Sequence, residues 1–344
     1  MIISKTPVRM SFAGGGSDLK AYYDNMPGAV LSTTIDKYIY ITVNRRFSDM
    51  LRVAYSQVEE VEKVEDIQHR LVRESMKLSG LKKGIDISYV SDLLPAHEGS
   101  GLGSSSSLTV GTLNALYAHK GLTASAELLA SQASDIEINK LGAPIGKQDQ
   151  YAVAYGGLNF IEFYGDETVS VKKVIIPKKI REKLEDNLLA FHTGIYTRSD
   201  LVLTEQRKTT KDKLGTLEKM VNLAHELKDS LERKDLSEFG NILHKNWVLK
   251  KEMSDKMTNP EIENYYKKAM NAGALGGKIL GSGGGGFLLF YCEEENHEKL
   301  KEALKDLRQL PFKFETSGSR IIYVGNDTYE KGYDKYNYIN GVKK

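Results

Sequence analysis

The chain reads as a mixed α and β protein whose 344 residues leave room for two domains and a substantial core. Two observations predict the class. In the first half, short β-branched and aromatic runs alternate with segments of helical spacing. In the second, a long charged helical stretch is bracketed by apolar strands. A third observation points to function: glycine-rich clusters occur near the start, in the middle and near the end.

Taken in order, Tyr38–Val43 (YIYITV) and Ile85–Val90 (IDISYV) have the composition of strands, with helical spacing over Glu65–Leu78 between them. Pro95–Ser107 (PAHEGSGLGSSSS) is made of small and polar residues, with Leu102 its only large apolar side chain. It runs directly into a segment where Leu108, Leu113, Leu116 and Tyr117 recur at helical spacing. Ser125–Leu141 reads as a helix stopped by Gly142 and Pro144. A strand with a basic tail over Val169–Pro177 leads into Lys178–Asp186, which reads as a hinge between halves 1–182 and 183–344. The second half opens with a strand at Leu188–His192, then is helical and charged from Asp200 to Lys256. Trp247 within that stretch reads as core. Gly286–Tyr291 and Arg320–Val324 read as the strands that close this half, and the tail after Asn326 carries no assignment.

Apolar residues make up 40% and charged residues 27%, as in ordinary soluble globular proteins. A net charge of +2 gives no support for nucleic-acid binding by bulk charge, although a local basic patch could hold a small anion. The single Cys292 excludes an internal disulfide and any multi-cysteine metal site. The N-terminal MIISKTPVRM lacks a signal-peptide core, and no apolar run approaches membrane length. The expectation is a cytoplasmic protein with no membrane and no nucleic-acid partner; a homodimer is left open.

A Gly/Ser loop running into a helix N-terminus presents unpaired backbone N–H groups and the positive end of the helix dipole, which suit a polyanion. Gly/Ser runs are also common linkers. Apolar periodicity on both sides argues for a nucleotide-phosphate cradle instead. The cluster GGKILGSGGGG contains Gly281-x-Gly283-x-x-Gly286, formally a dinucleotide fingerprint. That motif needs a helix after it, whereas Phe287–Tyr291 is strand-like, so the reading fails on context. The P-loop pattern is absent too: Gly276-Gly277-Lys278 is followed by Ile279 rather than Ser or Thr.

Pro7–Leu19 (PVRMSFAGGGSDL), Pro95–Ser107 and Asn271–Phe290, in this order, resemble the three motifs of the GHMP kinase superfamily, which includes galactokinase and mevalonate kinase. The resemblance spans roughly residues 2 to 325. With GKQDQYAVAYGG added, it is strongest toward the D-glycero-D-manno-heptose 7-phosphate kinases, which phosphorylate an anomeric hydroxyl. It implies a two-domain α+β fold: an N-terminal domain like ribosomal protein S5 domain 2, a C-terminal ferredoxin-like domain, and ATP between them.

The resemblance also implies roles. Pro95, Gly99, Ser100, Gly101, Leu102, Gly103, Ser104, Ser105 and Ser106 would cradle ATP, with Ser105 and Glu137 holding Mg²⁺ through hard oxygen donors. Asp149 would accept or orient the acceptor's proton, and Arg9 would offset charge on the transferred phosphoryl. Gly15, Gly16, Ser17 and Asp18 would meet the sugar, and Gly283 and Gly284 would close over it. In galactokinases a Glu-His pair occupies the region of Gly15 and Gly16; its absence argues for another sugar. If the acceptor carries a phosphate, Lys37, Arg45, Arg46, Lys147 and Arg198 are candidate grips, with Lys147 and Arg198 preferred. Two other readings are a 1-kinase for an unphosphorylated sugar such as fucose or mannose, and a catalytically silent sugar and ATP sensor.

Overall fold

The computed structural model describes residues 1–93, 101–196 and 199–325. Pro95, Gly99, Ser100 and Arg198 lie outside the described residues.

The first half is built on one large sheet. Its strands are β1 (Ile2–Ala13), β2 (Gly28–Arg45), β3 (Leu51–Ala54), β4 (Val58–Val61), β5 (Ile85–Ser91), β6 (Leu158–Phe163) and β7 (Val169–Lys173). Its helices are α1 (Lys20–Tyr23), α2 (Arg70–Ser79), α3 (Ser104–His119), α4 (Ala126–Ser134) and α5 (Gln148–Tyr155). The 18-residue β2 is the spine, pairing antiparallel with β1, β5 and β6 along different parts of its length. Helix α3 is buried on nearly every face, from Ser106 to Tyr117, so it shows no polar side.

The second half comprises α6 (Lys178–Asn187), β8 (Leu188–His192), α7 (Ser199–Thr209), α8 (Leu214–Glu232), α9 (Leu236–Lys251) and α10 (Pro260–Asn271). After them come β9 (Ala274–Ile279), β10 (Phe287–Cys292), α11 (His297–Ala303), β11 (Arg308–Leu310), β12 (Phe314–Glu315) and β13 (Arg320–Val324). Its sheet has the order β11-β8-β10-β9; α9 packs on β9 and β10, and α8 packs on α9 and on β1 and β2 of the first sheet. Trp247 is buried at 1% exposure among Phe290, Tyr266 and Ile262, as its place in a helical stripe predicts. Among the described residues, no helix is long and apolar enough to cross a membrane.

Four expectations change. Residues 65–78 do not form one helix: a single 3₁₀ turn spans Val64–Asp66, and the helix begins at Arg70 with His69 as its N-cap. Residues 178–186 are not a hinge but helix α6, which passes directly into β8. The helix read from Ser125 is capped by the Ser125 hydroxyl as expected, but turns π-helical over Asp135–Lys140. The strand at 320–324 does not close the second half: β13 pairs with β1 and β12 with β2, so the chain returns to the first sheet.

Candidate active site

A cavity of about 1040 Å³ draws its walls from both halves of the chain. One wall is the turn Gly101–Gly103 and the first turn of α3, where Ser104 and Ser105 face the cavity. The third glycine cluster joins it as the hairpin between β9 and β10, a strand–turn–strand context that a dinucleotide motif does not have. The two turns touch: a Cβ on Gly101 would lie 2.2 Å from the Leu280 carbonyl oxygen, and one on Gly281 would lie 2.3 Å from the Gly101 Cα. Both residues also have positive φ, +73° and +75°, so glycine is required there twice over. The Leu102 side chain is fully buried core, and this residue serves the turn through its carbonyl, which accepts the Arg9 backbone N–H at 2.9 Å.

Arg9 rises from β1 beneath this turn. Its Nε and Nη2 donate to Oδ1 and Oδ2 of Asp149, each at 2.7 Å, and its Nη1 donates to the Gly101 carbonyl. The guanidinium is 5% exposed and the carboxylate 22%, so the fork is fixed from below while Asp149 stays open to the cavity. Asp149 lies in the first turn of α5, where the helix dipole favours a negative charge.

Glu137 sits in the π-helical turn, buried to 2% exposure. Such turns re-aim side chains and recur at functional sites. Its Oε2 accepts from the Ser106 hydroxyl at 3.3 Å, and Oε1 is buried without a hydrogen-bond partner. Burial pushes its pKa up to about 7; the nearby Asp149 adds to the rise, while Gln150, Ser106 and Ser105 oppose it. A buried carboxylate with an orphaned oxygen, beside two serine hydroxyls, suits a hard divalent cation.

A second wall, next to the fork, carries Gly15, Gly16 and Asp18. Asp18 Oδ1 accepts from Gly16 N at 2.8 Å and from Gln148 Nε2 at 3.0 Å. Burial raises its pKa, with the Gly16 amide opposing and Asp149 reinforcing. Two lysines that sequence reasoning missed complete this wall. Lys250 of α9 donates to the Gly15 carbonyl at 3.0 Å and to Gln206 Oε1 at 3.1 Å, and Lys278 of β9 donates to the Ser11 carbonyl at 2.6 Å. Burial lowers Lys250 to about 8, with Asp18 pulling the other way. It lowers Lys278 to about 7, with Lys250 and Arg9 adding to the shift. A signal for both was present. Phe239, Leu243, Trp247 and Lys250 lie on one stripe of α9, and Lys278 stands in an apolar strand after two glycines.

Several expected residues stand elsewhere. The Lys147 ammonium pairs with Glu167 and lies 5.0 Å from the Tyr23 ring centroid, off the cavity wall. The Ser17 hydroxyl is fully buried, bonded to the Gly14 and Ala29 carbonyls at 2.8 and 3.1 Å, so it shapes the first glycine turn from behind. Gly283 and Gly284 pack on Met257, and it is Gly281 and Ser282 that face the cavity. Lys37 pairs with Asp36 and Arg46 with Glu60.

Three turns gathered around one carboxylate–guanidinium pair are what the superfamily resemblance led us to expect, and the chain belongs to the GHMP kinases. Residues 64–157 match the GHMP kinases N terminal domain, and residues 227–309 match the GHMP kinases C terminal domain. It is therefore an ATP-dependent sugar kinase. Among individual proteins, it is 33% identical to the D-glycero-alpha-D-manno-heptose 7-phosphate kinase of Campylobacter jejuni, over 88% of this chain and 93% of that one. A D-glycero-D-manno-heptose 1-phosphate kinase from Bacteroides thetaiotaomicron superposes with a TM-score of 0.79 at 27% identity, covering 94% of this chain and all of the other. Similarity extends to the galactokinase of Pyrococcus furiosus, at 24% identity over 95% of this chain and 98% of that one.

Proposed function

We propose that the protein transfers the γ-phosphoryl group of ATP to the anomeric hydroxyl of D-glycero-D-manno-heptose 7-phosphate, giving the 1,7-bisphosphate and ADP for nucleotide-activated heptose and surface glycan synthesis. The observation that carries this reading is the Arg9–Asp149 fork, held under the glycine turn and open to a cavity also lined by Gly15, Gly16 and Asp18. The similarity to a heptose 7-phosphate kinase over most of both chains supports the choice of sugar.

In this reading Gly101, Gly103, Ser104 and the first turn of α3 hold the phosphates, with backbone N–H groups and the helix dipole opposing their charge. The acceptor oxygen forms a bond to the γ-phosphorus as the bond to the β,γ-bridging oxygen breaks, and ADP carries that oxygen away. Asp149 accepts or orients the proton of the attacking hydroxyl. An anomeric hydroxyl is more acidic than other sugar hydroxyls, which lowers the demand on a carboxylate. Arg9 holds both oxygens of Asp149 in place and adds positive charge beside the transferred group. Mg²⁺, when bound, would neutralise phosphate charge, and Glu137, Ser105 and Ser106 are the residues that would hold it.

The test is a coupled ADP-release assay with heptose 7-phosphate, free heptose, fucose, mannose and galactose. The phosphorylated heptose should give the highest kcat/KM. Equal or better turnover of a free sugar would reject this acceptor, and no ADP release with any of them would make the protein a silent binder.

A further inference from the structure

The wall facing the acceptor holds cations that its carboxylates do not neutralise. Lys250 and Lys278 are 8% and 5% exposed, and among the described residues neither forms an ion pair. Lys278 donates to one carbonyl, and Lys250 to one carbonyl and one amide oxygen, although an ammonium group carries three protons. The basic groups singled out for a phosphate behave oppositely: Lys147, Lys37 and Arg46 are already paired with Glu167, Asp36 and Glu60.

Around the two lysines lie buried polar atoms with no partner: Ser11 Oγ, Gln148 Oε1 and Gln206 Nε2, from three residues that all line the cavity. They converge on Gly15 and Gly16. A Cβ on Gly15 would lie 3.6 Å from both Ser11 Oγ and Gln148 Nε2. One on Gly16 would lie 2.4 Å from Gln206 Nε2 and 3.4 Å from Lys250 Nζ. Leaving buried donors, acceptors and charges uncompensated is costly, so a fold retains such a set where a ligand completes it. Two adjacent cations call for an anion; one acceptor (Gln148 Oε1), one donor (Gln206 Nε2) and one hydroxyl that can do either (Ser11 Oγ) beside them call for hydroxyls.

We propose that Lys250 and Lys278 grip the phosphate that the acceptor already carries, while Ser11, Gln148 and Gln206 take its hydroxyls, so that this wall selects a sugar phosphate over a free sugar. The inference rests on the sugar-kinase reading above and identifies what decides its acceptor class. It differs from a role toward the transferred phosphoryl, which would act alike on every acceptor.

Titration calorimetry without nucleotide tests it, with heptose 7-phosphate and free heptose as probes. The wild-type protein should bind the phosphorylated sugar about tenfold or more tightly, the scale of a charge-assisted contact. Lys250→Met and Lys278→Met should each remove most of that preference and leave free-heptose affinity within about twofold. Equal losses on both sugars, or unchanged affinities with a lower kcat, would overturn the proposal. A measurement on the unaltered protein guards against misfolded variants: with ADP saturating, inorganic phosphate should compete with heptose 7-phosphate, and failure to compete would also overturn it. These outcomes are separable from the kinase reading itself. A protein that binds heptose 7-phosphate selectively yet releases no ADP refutes the reaction and leaves the pocket standing; one that phosphorylates both sugars alike refutes the pocket and the choice of a phosphorylated acceptor, and leaves the sugar-kinase activity standing.

Discussion

The two walls of the cavity are built on opposite electrostatic plans. On the glycine–serine side the guanidinium is answered within the protein: the Arg9 fork closes on Asp149 and Gly101, while Glu137 keeps one oxygen for a cation. On the side of α9 and β9, Lys250 and Lys278 are answered only by neutral oxygens, next to atoms with no partner. A satisfied wall is preorganised for a ligand whose charge changes during reaction; an unsatisfied wall waits for one whose charge is constant. The first should govern turnover and the second acceptor choice.

Asp149→Asn should break the first wall most severely. It keeps the shape but cannot take a proton, so kcat should fall by roughly 10²–10⁴ with ATP affinity nearly intact. Steady-state ADP release with nucleotide titration checks this, and normal turnover would remove Asp149 from the chemistry. Gly281→Ala should come next, because its Cβ would sit 2.3 Å from the Gly101 Cα at a φ of +75°. We expect a loss of about 1–3 kcal/mol from backbone strain alone, with further loss from the clash and a higher KM for ATP, read by denaturant melts and kinetics. Glu137→Gln should raise the Mg²⁺ concentration for half-maximal rate by about tenfold or more while sparing sugar affinity. An unchanged Mg²⁺ titration would move the cation elsewhere.

A subtler effect separates the walls by pH. Lys278 is lowered to about 7, so between there and its ordinary 10.5 the unfolded chain holds a proton that the folded one lacks. Its contribution therefore makes stability rise with pH across that window, with the full penalty below it, and Lys250 acts in the same sense from about 8. Lys278→Met should flatten the rise and raise Tm most near pH 6; parallel melting curves at pH 6, 7.5 and 9 would contradict this. The smallest effect belongs to Lys147→Met. With its ammonium engaged by Glu167, acceptor KM should move by less than about twofold, and a larger change would restore it to the site.

Much of the first wall was legible because its parts are local in sequence. The run Gly101–Ser107 ahead of an apolar helix has few physical readings, and Asp149 follows a helix stop within a few residues. Element ends were less legible. The π-turn that aims Glu137 leaves no mark in helical spacing, and α6 looked like a hinge because its charged run contains only two apolar residues, Ile180 and Leu184. Lys147 and Lys250 show the limit most clearly. Lys147 stands among polar residues and Lys250 at the end of an apolar helical stripe, yet neither pattern says that one packs beside Tyr23 against Glu167 and the other lies beneath Gly15.

By itself the amino-acid order determined the mixed α and β class, the three glycine turns, the charge-neutral character and the family. The class and the charge follow from composition, the turns from neighbours a few bonds apart, and the family from the resemblance of three motifs spread along the chain. Tertiary structure alone decided which cations are neutralised, that Gly101 meets Gly281, and that Ser11, Gln206, Lys250 and Lys278 share one wall. Those facts depend on burial and on contacts between residues up to 267 positions apart, as between Lys278 and Ser11. No local pattern of residue types encodes such distances.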